Sequence, residues 1–143
     1  MITCTRRIQF CSGHRVFGHE GKCRHLHGHN YVAFITAQAD ALDSVGRVID
    51  FSVLKERIGG WIDREWDHGC VLWEGDTEAQ VAVESCQPAK VYRLPTNPTA
   101  ENMANHLLRV VCPGELKDTG VRVVSVQLWE TENCYAEAGE CIG

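Results

Sequence analysis

At 143 residues and a net charge of −5, the chain has the size of one domain, 1–143, large enough to bury a core without disulfide or metal staples. An acidic balance lacks the basic face that non-specific nucleic-acid binding needs, and no apolar run reaches membrane-spanning length, so neither nucleic acid nor membrane is an expected partner. "MITCTRRIQFCSGHR" has no basic segment followed by an apolar one, so the eight cysteines, at 4, 11, 23, 70, 86, 112, 134 and 141, are expected to be mostly reduced, buried thiols of a cytoplasmic protein.

Taken in chain order, "ITCTRRIQF" at 2–10 alternates loosely between β-branched and polar residues, and "GHNYVAFITAQA" at 28–39 continues the pattern, so both are expected strands. A polar, Gly-bearing connection joins them. From Asp50, "DFSVLKERIGGWIDREW" sets Phe51, Leu54, Ile58, Trp61 and Ile62 at helical spacing, with Asp50 or Ser52 as the N-cap. Gly59 and Gly60 weaken that helix by roughly 1 kcal/mol each. Residues 69–98 carry short apolar pieces between turn residues and predict loop with at most one short strand, "VYRL".

A second helix begins at Pro98-Thr99, carries Met103, Leu107, Val110 and Val111 as its apolar stripe, and should stop at Pro113-Gly114. "GVRVVSVQLWE" alternates as a strand with one apolar face, and "NCYAEAGEC" at 133–141 completes a hairpin. The order strand, strand, helix, helix, strand, strand predicts an α+β fold, with a four-stranded antiparallel sheet covered on one face by two helices.

The chemistry concentrates in "KCRHLHGHNY", residues 22–31. His27 and His29 stand two apart at a strand entry, which points both rings to one face with Cα atoms roughly 6.5 Å apart. Antiparallel pairing of the first two strands would bring His14 alongside, and three histidines with an open fourth position describe a catalytic zinc site. A Cys2His2 finger fits poorly, because Cys23 has no second cysteine at finger spacing. Cys23 lies between Lys22 and Arg24, cations that favour a thiolate usable as base or nucleophile. With Arg15 they form a local positive cluster suited to an anionic, phosphorylated substrate. Asp67 and His68 adjoin in sequence, which does not oblige their side chains to meet; a polar cluster at a helix end explains them equally well. Glu130, at the end of the apolar strand, reads either as a solvent-facing acid or as an acceptor of paired hydrogen bonds.

Six motifs in order, "FCSGHR", "CRHLHGHNY", "VIDFSVLK", "WDH", "NPTAEN" and "LWET", resemble the 6-pyruvoyl-tetrahydropterin synthase / 6-carboxy-tetrahydropterin synthase family over nearly the whole chain. The resemblance implies the tunnelling fold, in which trimers close into barrels and two trimers stack as a homohexamer holding a pterin triphosphate between subunits. It implies that His14, His27 and His29 bind Zn2+, that Cys23 is the general base, and that Asp67 and His68 form an acid/base relay. Glu130 would join that relay and anchor the pterin ring, with Thr99 and Glu101 also on the substrate.

The three-residue gap between Cys23 and His27 looks like the bacterial 6-carboxy enzymes of queuosine and other 7-deazapurine pathways; animal biopterin enzymes have a longer gap. A folate-linked subgroup places glutamate where this chain has Cys23. The implied activity is that of a zinc-dependent lyase, converting 7,8-dihydroneopterin triphosphate to 6-carboxy-5,6,7,8-tetrahydropterin, acetaldehyde and triphosphate. The alternatives are 6-pyruvoyl-tetrahydropterin formation without side-chain cleavage, and a non-catalytic zinc and pterin binding module. The chain departs from compact members in a longer insert at roughly 73–95.

Overall fold

The structure, a computed structural model, describes residues 1–140. Two long strands form its centre, β1 (Thr3–His14) and β2 (His27–Gln38), paired antiparallel along their whole lengths. Alternation makes them two-faced: Ile8, Phe10, Ser12 and His14 of β1 and Tyr31, Ala33, Ile35 and Ala37 of β2 are buried on the same side. Register places Phe10 against Tyr31, where the rings stack 5.0 Å apart, and His14 against His27.

Helix α1, residues 51–65, starts where the Asp50 carboxylate accepts the Ser52 N–H, and presents fully buried Leu54, Ile58 and Ile62 to the sheet. Its middle, Lys55–Gly59, widens to i→i−5 bonding, and the two glycines lie at the end of that wide turn. Phe51 and Trp61 lie off the buried stripe, the first exposed and the second half-buried.

The helix at 100–115, α3 after the short α2 (Thr77–Glu84), begins at Thr99, whose hydroxyl accepts the Asn102 N–H. It buries Met103, Leu107 and Val111, while Val110 faces solvent. Pro113 does not stop it: a second wide turn at Leu107–Val111 precedes the proline, which has no N–H to offer, and helical geometry runs on to Glu115. Each fully buried Leu or Ile in these helices contributes about 1.5–3 kcal/mol through removal from water.

The sheet corrects the four-stranded antiparallel expectation. It is mixed and six-stranded among the described residues, in the order β4-β3-β1-β2-β5-β6. The stretch 69–98 that reads as loop supplies β3 (Gly69–Trp73), parallel to the end of β1, and β4 (Val91–Leu94), parallel to β3, with α2 (Thr77–Glu84) as the crossover between them. Parallel neighbours need such a crossover, and the insert provides its length. On the other side lie β5 (Arg122–Thr131) and β6 (Cys134–Gly139), both antiparallel to their neighbours. Cys141, the last residue of the expected hairpin segment, lies outside the described residues.

One irregularity matters for the site. Thr36 pairs with Ser125 but Ala37 pairs with Val123, so Val124 is an extra residue in β5. Beyond this bulge Val126, Leu128 and Glu130 share the helix-covered face, a phase that unbroken alternation from Val123 would not give.

The cysteines of the described residues are free thiols, but only Cys112 is buried; Cys11, Cys86 and Cys134 are exposed. Among the described residues no helix is long and apolar enough to cross a membrane.

Candidate active site

Strand pairing brings three histidines together at one end of the covered face. His14 and His27 are direct cross-strand partners, and His29 follows on the same side of β2. Their ring centroids lie 4.6, 4.9 and 5.2 Å apart, and one nitrogen from each falls within 4.8 Å of the others. Gly28 between them keeps the strands close: a Cβ there would stand 3.2 Å from the Ser12 carbonyl oxygen.

Hydrogen bonds fix which nitrogen faces the centre. His14 Nδ1 donates to the Pro98 carbonyl at 2.7 Å and His27 Nδ1 to the His25 carbonyl at 2.6 Å. A carbonyl only accepts, so both rings carry the proton on Nδ1 and direct an Nε2 lone pair inward. The Nε2 atoms of His14 and His29 are buried without a hydrogen-bond partner among the described residues. Burial pulls the His14 pKa down to about 4; the Pro98 carbonyl opposes this and the neighbouring histidines add to it. Burial also lowers His29, against the pull of Glu130 and with a further lowering from His27. Neutral rings with convergent lone pairs fit a divalent transition metal such as zinc.

Glu130 reaches the same centre from β5, its carboxylate oxygens 4.0 Å from His14 Nε2 and 3.8 Å from His29 Nε2. Tyr31, which sequence reasoning leaves out, closes the floor. It is wholly buried, its ring lies edge-on to those of His14 and His29, and its hydroxyl has no partner among the described residues. Burial first, then Glu130 and Cys23, push its pKa well above the ordinary phenol value. The available signal was parity: Tyr31 shares the strand face of His27 and His29.

Cys23 lies in a single 3₁₀ turn, Lys22–Arg24, half-buried. Its carbonyl accepts the Val16 N–H at 2.8 Å, which closes the loop between β1 and β2. Lys22 and Arg24 are exposed beside it. Arg15 is different: it grips Asp76 with two hydrogen bonds of 2.6 and 2.5 Å, so it is already paired within the chain and does not join a free cationic cluster.

Asp67 and His68 do meet. The His68 Nδ1 donates to Asp67 Oδ2 at 2.7 Å, and Asp67 Oδ1 accepts the Cys11 N–H at 2.9 Å. Burial raises the Asp67 pKa, but the hydrogen bonds from Cys11 and His68 and the charges of His68 and Lys90 outweigh it and leave the carboxyl below its ordinary value. His68 has φ +58°, a left-handed conformation uncommon outside glycine, and its side chain is exposed. Among the described residues no hydrogen bond or ion pair joins this pair to the three histidines. His68 lines a shallow cleft of about 350 Å3 with Cys11, Gly13, Gly28 and Asn30, at outward positions of β1 and β2, and with Ser12 and His29.

The "NPTAEN" segment acts through its backbone and its amides. Asn97 clamps the β1–β2 loop by exchanging hydrogen bonds with both backbone groups of Phe17, Pro98 orients His14, and Thr99 caps α3. Asn102 in turn donates to the Asn97 carbonyl. Glu101 stands exposed in the first turn of α3. His25 is exposed and contributes only its carbonyl, and His19 Nδ1 accepts the Gly21 N–H.

A family model described as 6-pyruvoyl tetrahydropterin synthase matches residues 3–141. The chain belongs to this family. Among its relatives is a protein of Rickettsia bellii named 6-carboxy-5,6,7,8-tetrahydropterin synthase, 45% identical over 137 residues that span 96% of this chain and 99% of the relative. One of the same name from Haemophilus influenzae is 30% identical, over 98% of this chain and all of its own. A 6-pyruvoyl tetrahydropterin synthase structure from Caenorhabditis elegans shares the fold, with a TM-score of 0.67 and 22% identity over 98% of this chain and 96% of its own.

Proposed function

We propose that this chain is a zinc-dependent 6-carboxy-5,6,7,8-tetrahydropterin synthase. In this reading it takes 7,8-dihydroneopterin triphosphate and water to 6-carboxy-5,6,7,8-tetrahydropterin, acetaldehyde and triphosphate, in the cytoplasm and on the route to queuosine. The observation that carries the reading is the convergent triad His14, His27 and His29, in which the buried Nε2 atoms of His14 and His29 have no hydrogen-bond partner among the described residues. Relatives at 43–45% identity over nearly the full chain carry the 6-carboxy name, and the spacing from Cys23 to His27 favours that product over the pyruvoyl one.

The three imidazoles would hold the zinc, which when bound supplies Lewis acidity that polarises substrate side-chain oxygens and acidifies neighbouring C–H and O–H groups. Cys23 takes a proton from the side-chain carbon; it lies in the loop between the strands that carry the histidines, and its charge is among those that raise the Tyr31 pKa. Glu130 accepts two hydrogen bonds from the amino and ring N–H groups of the pterin, a geometry that holds the ring in one orientation. Asp67 keeps a proton on His68 Nδ1, which leaves Nε2 to give up or accept one at the substrate. Oxidation of the side chain is balanced by reduction of the ring, so no redox cofactor is required. Thr99 and Glu101 are proposed to assist binding from the N-terminus of α3.

With no bond from Asp67 or His68 to the three histidines within one chain, we assign their part in the relay to a neighbouring copy. This favours a homohexamer of stacked trimeric barrels with sites between subunits. Incubation with 7,8-dihydroneopterin triphosphate and mass analysis of the product tests the whole reading. A 6-carboxy-tetrahydropterin with acetaldehyde supports it, a 6-pyruvoyl product replaces it with the other family activity, and absence of product removes the enzyme.

A further inference from the structure

The segment at 73–95 is tied to the loop that carries Cys23. Asp76, at the start of α2, is 2% exposed and has its carboxylate fully engaged: it accepts Arg15 Nε at 2.6 Å and Nη2 at 2.5 Å, and it caps α2 through the Ala79 N–H at 3.2 Å. Two residues along the loop, Phe17 packs on Trp73 with ring centroids 5.4 Å apart, and the Arg15 guanidinium lies 5.9 Å from the Phe17 ring. Between these contacts, the Val16 N–H holds the Cys23 carbonyl. Arg15, Val16 and Phe17 therefore fasten one side of the loop to the insert and the other side to the turn of Cys23.

We infer that the Arg15–Asp76 pair is a brace through which the 73–95 segment sets the position of the Cys23 thiol relative to the three histidines. Arg15 and Asp76 are positioning residues, and their effect on the reaction runs through that single thiol. This inference rests on the role proposed for Cys23. The histidines are held separately, His14 by its strand partner and the Pro98 carbonyl, so loosening the brace leaves the ligand triad in place. A planar, two-toothed guanidinium contact fixes the direction of the loop as well as its distance, which a lysine cannot do.

Two substitutions isolate the pair. Asp76→Asn keeps a side-chain acceptor for the α2 cap and removes the charge; Arg15→Lys keeps the charge beside Asp76 and removes the fork. The first readout is the rate at which iodoacetamide alkylates Cys23 in the full-length protein. It is scored on the fragment 21–56 released by cleavage after Glu20 and Glu56, in which Cys23 is the only cysteine. In both variants the alkylation rate is expected to change about tenfold or more, kcat to fall about 10- to 100-fold with KM little altered, and bound metal to stay at the wild-type level. Alkylation within about twofold of wild type in either folded variant overturns the brace. Since alkylation needs no turnover, a wild-type protein that forms no product defeats the proposed activity while this measurement still decides the brace.

Discussion

His14 and His27 are cross-strand partners with ring centroids 4.6 Å apart, each held by an Nδ1–H on a backbone carbonyl, Pro98 for one and His25 for the other. Replacing either ring should therefore remove a ligand from a centre whose other members stay oriented. His27→Ala is expected to lose metal affinity by more than the roughly 10- to 100-fold that loss of an outer hydrogen-bond partner brings. Metal analysis after dialysis checks this, and a variant that retains wild-type zinc would take His27 out of the site.

Cys23→Ala should keep the fold and the metal and lose turnover, about 10²- to 10⁴-fold for a general base. Steady-state rates alongside metal content make the measurement. Near-normal turnover would remove the thiol from the reaction.

Glu130→Gln should act on binding. If the carboxylate accepts two N–H bonds from the pterin, as proposed, an amide would accept one and oppose the other, so KM for the pterin is expected to rise by about 10-fold or more. An unchanged KM would reject the anchoring role.

Tyr31→Phe gives a stability test with an unusual sign. A buried hydroxyl with no partner is a liability in the substrate-free protein, so its removal should leave the thermal midpoint unchanged or raise it, where loss of a bonded hydroxyl costs about 1 kcal/mol. Thermal denaturation of the substrate-free protein decides this.

Asp76 gives the acid limb of stability. Arg15 holds its carboxyl below the ordinary value, against burial and with help from the Ala79 N–H, so its contribution is complete above the unfolded pKa of about 3.9 and disappears as pH falls through the lower folded one. The wild-type melting temperature should fall more steeply below about pH 4 than that of Asp76→Asn. Parallel curves would contradict it.

The parts of the fold legible in the sequence are those with a period. Leu54, Ile58 and Ile62 on α1 and the alternation of Tyr31, Ala33, Ile35 and Ala37 on β2 mark their elements, because one buried face repeats. The insert lacks such a signal. "GCVLW" is a short run without alternation, its parallel partner is only four residues long, and α2 buries Ala79 alone. The site divides in the same way. His27 and His29 announce themselves by spacing, and His14 follows from strand pairing. Arg15 and Asp76 stand 61 residues apart, and no local pattern links them. Asp67 and His68 are adjacent, yet only the left-handed turn at His68 and the Cys11 N–H bring their side chains into contact.

The extra residue in β5 makes chain length as decisive there as side-chain identity. Val124 is the place where one residue can be lost without turning the strand over: excising it restores regular pairing and leaves Val126, Leu128 and Glu130 inward. Excising Gln127 instead would reverse everything after it and swing Glu130 to the outer face, away from His14 and His29. A scan of substitutions along this strand would leave that dependence invisible, whereas a pair of single-codon deletions would expose it.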